Sequence, residues 1–338
     1  MKKPWFAALM LLGLWGVIAP ALAEDPKPTC NGVCQNMRRI ASESPYVVSI
    51  WADKPSDPSK QFRGGPSLGS GLLISIGEQL YTLTNNHVIA EPVLALRIWV
   101  KFHKQGFMEE VRVVGRDPAM DLALLTVPAL PRGIRPAVFG NPVQIGDPVY
   151  ALGYPSSIRN VSFGYVTTTE TPHIWIATQA PISPGSSGGP LFNEKLEVVG
   201  INKAIIPGAT ISLVIPVEDI KRVLPRILNE GVVEHASAGF DYQNASSLLP
   251  TFFEQRGLRY PPPVDDVVVR EVDPSSSASR AGVREGDAIT HFNGVSVRDA
   301  RELSRKIFFD YRPGQEVIFS VRRGQQTLER KITLGRVQ

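Results

Sequence analysis

From Pro45 onward, short apolar and β-branched runs alternate with clusters of Gly, Pro, Asn and Asp. The runs are Tyr46 to Trp51, Gly71 to Ser75, Leu80 to Thr84, Leu94 to Phe102, Glu109 to Gly115 and Leu122 to Val127. Others follow at Pro148 to Leu152, Val161 to Thr168, His173 to Thr178, Leu191 to Phe192, Val198 to Ala204 and Ile211 to Ile215. So many short strands with turn punctuation predict an all-β barrel or sandwich, closed by a helix over Val217 to Leu228. After Gly231 the rhythm changes. Strands are predicted at Val267 to Val272, Ala288 to Phe292, Val295 to Val297, Val317 to Arg322 and Leu328 to Leu334. A short helix with a serine cap fits Ser275 to Ala281 and ends at Gly282, and an amphipathic helix fits Arg298 to Phe309 with Leu303 and Ile307 on one face. The chain therefore divides into an all-β domain over 45–231 and a small α+β domain over 232–338, preceded by a polar segment over 24–44 that is extended or partly helical.

Composition adds a leader to this picture. Lys2 and Lys3 precede an apolar run from Pro4 to Ile18, followed by Pro20 and Ala21-Leu22-Ala23. This is the pattern of a secretory signal over 1–23, cut after Ala23, which puts the mature chain in the periplasm or another space outside the cytoplasm. An uncleaved anchor over 4–22 is the competing reading; Pro20 breaks that helix just before an acceptable cleavage site. The formal net charge of +4 falls by two when Lys2 and Lys3 leave, an excess too small to point to nucleic acid. Cys30 and Cys34, the two cysteines, are a candidate disulfide closing a small loop in an oxidising compartment. A metal site would need further ligands that do not stand nearby.

The run Ile182-Ser183-Pro184-Gly185-Ser186-Ser187-Gly188-Gly189-Pro190-Leu191 carries the candidate chemistry. Glycines on both sides of Ser187 let the backbone bend and bring its N–H groups near a substrate carbonyl, as a nucleophile and its oxyanion hole require. Taken alone, the run serves equally well as a turn between strands. A base is available in His87, where an apolar strand ends in Thr84-Asn85-Asn86-His87. An acid is available in Asp121, at the mouth of the apolar run Leu122 to Leu125, where a buried carboxylate needs a partner. Asp121 read by itself would cap a turn begun by Asp117-Pro118. The order His87, Asp121, Ser187 on an all-β chain is one known solution to the catalytic triad. Gly185-x-Ser187-x-Gly189 also fits the elbow of α/β-hydrolases, but Pro190 and a β-like stretch follow where that fold needs a helix.

Thr84-Asn85-Asn86-His87-Val88-Ile89, Asp121-Leu122-Ala123-Leu124-Leu125 and Thr178 to Leu191 resemble the HtrA (Deg) family of trypsin-like serine proteases with PDZ domains. Gly69-Ser70-Gly71 and Ala151-Leu152-Gly153-Tyr154-Pro155 fit as well, and Ala281 to Ile289 resembles the PDZ signature. The resemblance implies a mainly β chain, with a chymotrypsin-like double β-barrel protease domain followed by a small α+β PDZ domain. It implies a serine endopeptidase of misfolded or unfolded proteins in extracytoplasmic quality control and stress response, often a homotrimer, with no cofactor and no metal. The expected catalytic residues are His87, Asp121 and Ser187, and the expected oxyanion hole is Gly185, Ser186 and Ser187. Ser212, Leu213 and Val214 stand where the family has its substrate-pocket strand. Gly239, Phe240, Leu303 and Ile307 are the expected peptide-binding positions of the PDZ domain, where Asp241 is placed to repel a C-terminal carboxylate. A peptide-sensing or chaperone-like scaffold with latent protease activity is the alternative.

Overall fold

The computed structural model describes residues 31–337, apart from 62, 91–92, 104–107, 128, 131, 170–174, 207, 259–262 and 264–265. The leader expected over 1–23, Cys30 and His173 lie outside the described residues.

The first sheet holds β1 (Val47–Lys54), β2 (Gly65–Ile76), β3 (Gln79–Thr84), β4 (Arg97–Phe102), β5 (Glu109–Val111), β6 (Val113–Asp117) and β7 (Leu122–Leu125). Their order is β5-β4-β1-β2-β3-β7-β6. The predicted single strand from Glu109 to Gly115 is thus split at Arg112, and its two halves form opposite edges of the sheet. Thr126 N–H donates to the Arg112 carbonyl at 2.8 Å, and Arg112 N–H donates to Thr126 Oγ1 at 3.0 Å. These bonds let one stretch of chain turn the corner that curls the sheet.

Side chains on alternate positions go to opposite faces of a strand, and here both faces are buried. Val48, Ile50, Leu73, Ala123 and Leu125 fill one cluster, whereas Val47, Leu72, Leu83, Leu122 and Leu124 join a second, larger one. That two-sided burial is why Leu122 to Leu125 reads as an unbroken apolar run.

The larger cluster is shared with the second sheet, a closed barrel of β8 (Pro148–Gly153), β9 (Asn160–Thr168), β10 (Ile176–Thr178), β11 (Pro190–Phe192), β12 (Val198–Ile205) and β13 (Ser212–Pro216). Tyr150, Leu152, Phe192, Val198, Ile201 and Ile215 are its buried contribution. Closure leaves this barrel without an open edge.

The polar segment before β1 is helical: α1 (Gly32–Glu43) is capped by Asn31, whose side chain accepts from Cys34 N–H. Cys34 is disulfide-bonded. The helix α2 (Asn86–Ala90) is a single turn that follows β3 directly, and α3 (Val217–Glu230) follows β13. Ile220, Val223, Leu224 and Ile227 of α3 join the larger cluster. Arg159 ties α1 to the barrel by donating to the Ser44 carbonyl at 2.9 Å.

The C-terminal unit runs β14 (Ala236–Ser237), β15 (Phe240–Asn244), α4 (Pro250–Glu254), β16 (Val267–Val272), α5 (Ser277–Arg280), β17 (Ala288–Phe292), β18 (Val295–Ser296), α6 (Ala300–Asp310), β19 (Glu316–Arg323), β20 (Gln326–Thr333) and β21 (Gly335–Arg336). β15 had no apolar alternation to reveal it, since Asp241-Tyr242-Gln243-Asn244 pairs with β16 through its backbone. The helix predicted over Ser275 to Ala281 is shorter because Ser276 is its cap, accepting from Ser279 N–H at 3.1 Å, and Gly282 at φ +80° ends it.

This unit is docked on the barrels. Phe309 of α6 is buried in the larger cluster, Arg305 of α6 pairs with Asp219 of α3, and Arg222 of α3 lies 4.6 Å from the Phe309 ring centre. Burial pushes the Asp219 carboxyl above its usual range despite the opposing pull of Arg305. A second tie is fully enclosed: His235 Nε2 stands 2.6 Å from Asp117 Oδ2, with neither side chain exposed. His235 Nδ1 stands 2.8 Å from the Phe308 carbonyl, and the ring stacks on Phe308 at 3.6 Å.

Removing one partner of an enclosed pair strands the other. His235→Ala is therefore expected to lower the unfolding free energy by about 3 kcal/mol, measured by urea denaturation. A wild-type midpoint would show that the pair contributes nothing.

Candidate active site

Three segments far apart in the chain meet in the cleft between the two barrels. The first is the end of β3, where Thr84 Oγ1 donates to the Ser70 carbonyl at 2.7 Å and fixes the strand on β2. His87 follows in α2, a mount too short to swing freely. The second is the turn between β6 and β7. Asp117 begins it by accepting from Met120 N–H at 2.9 Å, so Asp117, and not Asp121, caps this turn. The Asp121 carboxylate is thereby left to face His87.

Asp121 is 2% exposed and sits at φ +60°, a left-handed conformation uncommon for a residue with a side chain. Its partners hold it there. Asn85 Nδ2 donates to its carbonyl at 2.8 Å, His87 N–H donates to Oδ1 at 2.8 Å, and His87 Nδ1 lies 2.8 Å from Oδ2. Burial pushes the Asp121 carboxyl upward, but the hydrogen bond and attraction from His87, with the Lys203 ammonium, outweigh it, and the group titrates below its usual range. An ionised carboxylate only accepts, so the proton of a neutral His87 belongs on Nδ1, leaving Nε2 as the basic nitrogen.

The third segment is the loop before β11. Gly185 takes φ +97°, and a Cβ there would come 2.8 Å from the Tyr154 carbonyl. Gly188 is tighter still, with the Ser70 carbonyl 2.1 Å from the place a Cβ would occupy. Only glycine lets the loop lie this close to β2. Ser70 clamps the loop at two points: its N–H donates to the Ser187 carbonyl at 2.8 Å, and its Oγ donates to the Gly185 carbonyl at 2.7 Å.

Among the described residues, the amides of Gly185 and Ser187 have no intramolecular acceptor, whereas Ser186 N–H donates to the Ser183 carbonyl at 2.8 Å. Ser186 is buried, with its amide already engaged, so of the three residues expected to form an oxyanion hole it differs from Gly185 and Ser187 in having no amide to offer. The Ser187 hydroxyl donates to the Lys203 carbonyl at 3.0 Å, and among the described residues it makes no hydrogen bond to His87.

The cleft is a cavity of about 800 Å³ lined by Leu68, His87, Ile182, Ser187, Lys203 and Ile205, among others. Ser212, Leu213 and Val214 are not in its lining. Ser212 donates from Oγ to the Ala180 carbonyl at 2.8 Å, and Val214 is wholly buried in the second barrel. The wall is instead the end of β12, from Lys203 to Ile205. Lys203 was missed by the sequence reading; the signal available was a cation inside a largely apolar strand.

In the C-terminal unit, Gly239 has φ +78° and precedes β15. Phe240, Leu303 and Ile307 are buried in that unit's own core, and Phe240 and Ile307 also border a cavity between β15 and α6. The Asp241 carboxylate is paired with the Arg270 guanidinium, so the expected repulsion of a carboxylate is offset locally. Tyr242 hydroxyl and Ser304 Oγ lie 3.1 Å apart and cross from β15 to α6.

Comparison with known proteins agrees with this architecture. Residues 69–201 match the family model described as a trypsin-like peptidase domain, and residues 239–334 match that of a PDZ domain. A probable periplasmic serine endoprotease DegP-like from Chlamydia trachomatis serovar D is 32% identical over 283 residues, covering 80% of this chain and 54% of the relative. A putative serine protease HhoA from Synechocystis is 32% identical over 262 residues, covering 70% of this chain and 63% of the relative. The chain spans about half the length of the DegP-like relatives it matches. Among solved structures, the HtrA-type protease AlgW with decapeptide superposes with a TM-score of 0.69 at 26% identity, covering 90% of this chain and 99% of that one. The serine endoprotease from Yersinia pestis gives 0.65 at 25% identity, covering 90% and 98%. With both domain models matched in order and the same two-part architecture in these structures, the chain belongs to the HtrA family of trypsin-like serine proteases with a C-terminal PDZ domain.

Proposed function

We propose that the chain is an extracytoplasmic serine endopeptidase that cleaves misfolded or unfolded proteins, with a protease domain over 45–231 and a PDZ domain over 232–338. The observation that carries this reading is the meeting of His87, Asp121 and Ser187 in one cleft, with Asp121 bonded to both the ring and the backbone of His87. Ser187 is the nucleophile, His87 the general base and then acid, and Asp121 the group that fixes the ring's tautomer.

Ser187 Oγ first leaves the Lys203 carbonyl and turns to His87 Nε2. As it attacks the scissile carbonyl, its proton passes to Nε2, and the amides of Gly185 and Ser187 receive the negative oxygen. Each such donor contributes about 3 kcal/mol to transition-state stabilisation. His87 then returns the proton to the leaving amine, and water releases the acyl group by the same route in reverse.

The unfolded-protein substrate, the periplasmic location and the homotrimer belong to the same proposal. The location is supported by the names of the relatives, which are periplasmic endoproteases, and the substrate class and the trimer rest on the family resemblance. The PDZ domain would take an exposed peptide end by strand addition along β15, with α6 as the opposite wall. A scaffold with latent activity is the second reading, favoured by the resting bond from Ser187 to the Lys203 carbonyl.

Labelling with a serine-directed phosphonate separates the two. The wild type is expected to label and to digest casein, and Ser187→Ala to abolish labelling and lower kcat by about four orders of magnitude or more. Absence of labelling with and without added C-terminal peptides would leave the scaffold. Light scattering at three times the chain mass checks the trimer.

Because His87 must be neutral to accept a proton, kcat/KM should fall toward acid pH as the ring becomes protonated. Asp121, held below the usual carboxylate range, stays ionised there, so the acid limb should show one ionisation. Activity that stays flat to pH 4 removes His87 from the base role.

A further inference from the structure

Lys203 stands near the end of β12 with its ammonium over Trp175, Nζ lying 4.8 Å from the ring centre. Its ammonium ends 2.8 Å from Asp121 Oδ2, the same oxygen that meets His87 Nδ1. The Lys203 side chain is only 22% exposed, so solvent screens it less than a surface lysine. When His87 takes a proton on Nε2, its imidazolium and this ammonium become like charges sharing one carboxylate oxygen. A cation so placed disfavours the protonated ring.

The other charged groups around His87 do not cancel this effect. Lys54, at the end of β1, donates from Nζ to the His87 carbonyl at 2.7 Å. Arg116 of β6 reaches the neighbouring Asn86 Oδ1 at 3.4 Å. Among the described residues, the titratable side chains lining the cleft are Lys54, His87, Asp121 and Lys203. Of these, Asp121 is the one carboxylate.

We propose that Lys203 is a positioning residue for His87: by sharing Asp121 Oδ2 it keeps the imidazole neutral, and so able to act as a base, to a lower pH than the His87–Asp121 pair alone would allow. The same sharing weakens the hold of Asp121 on the imidazolium formed during attack. A wider acid range thus accompanies a smaller stabilisation of the charged intermediate. The main-chain carbonyl of Lys203 also holds the resting Ser187 hydroxyl, so this one residue touches both the acid and the nucleophile. The inference rests on the triad reading proposed above.

Its test compares the full chain with Lys203→Met and Lys203→Arg by two readouts. NMR titration of the His87 imidazole, assigned by its loss in His87→Gln, measures the coupling without turnover. The acid limb of kcat/KM on a peptide measures the consequence. Lys203→Met is expected to raise both midpoints by about one pH unit, giving about tenfold lower kcat/KM on the acid side, while Lys203→Arg keeps the wild-type values. An unchanged NMR midpoint in a folded Lys203→Met protein overturns the proposal. If the wild type neither labels at Ser187 nor turns over peptide, the triad reading fails, and the NMR titration still decides whether Lys203 governs His87.

Discussion

A carboxylate removed from water must be given partners or it destabilises the fold that holds it. Asp121 is given four contacts from two parts of the chain. Oδ1 takes the His87 amide, Oδ2 takes the His87 ring and the Lys203 ammonium, and the main-chain carbonyl takes Asn85. A left-handed backbone at a residue other than glycine costs on the order of 1 kcal/mol, and this crowd of bonds over-determines it. Segments of both barrels thus converge on one side chain, and the cleft between them exists because each barrel supplies part of its surroundings.

Ser70 performs the matching task for the loop that carries Ser187. Its N–H and Oγ bind the carbonyls of Ser187 and Gly185, and Tyr154 N–H donates to the same Oγ at 2.8 Å. A strand of the first barrel therefore sets the shape of a loop in the second. With the Gly185 carbonyl drawn toward Ser70 and the Ser186 amide engaged by Ser183, the peptide between them is held at both ends. The neighbouring amides of Gly185 and Ser187 are left with no acceptor among the described residues.

The turn that carries Asp121 also reaches the PDZ unit. Asp117 supports that turn through Met120 with one oxygen and meets His235 with the other, and His235 in turn meets the Phe308 carbonyl of α6. The helix α6 and the turn bearing Asp121 are joined by a short chain of polar contacts. Pairing between α3 and α6 and the burial of Phe309 make the same surface apolar and ionic at once.

Most of the strands, and the set His87, Asp121 and Ser187, were legible in the sequence. Strand alternation, glycine spacing and turn residues are local properties, set by sterics within a few residues. The unbroken run Leu122 to Leu125 was legible as burial, though only the two clusters on its opposite faces explain it. Other features depended on which strands become neighbours when the sheets close. That register brings Lys203 to Asp121, pairs Arg270 with Asp241, splits one strand at Arg112, and makes Lys203 to Ile205 the cleft wall in place of Ser212 to Val214. It also set the direction of two groups whose identity was already plain, engaging the Ser186 amide with Ser183 and turning the Ser187 hydroxyl toward the Lys203 carbonyl. The sequence by itself marked out His87, Asp121 and Ser187 as one set. Tertiary structure alone decided how they are paired, because hydrogen bonds and charges act over a few ångströms of space, whatever the distance along the chain.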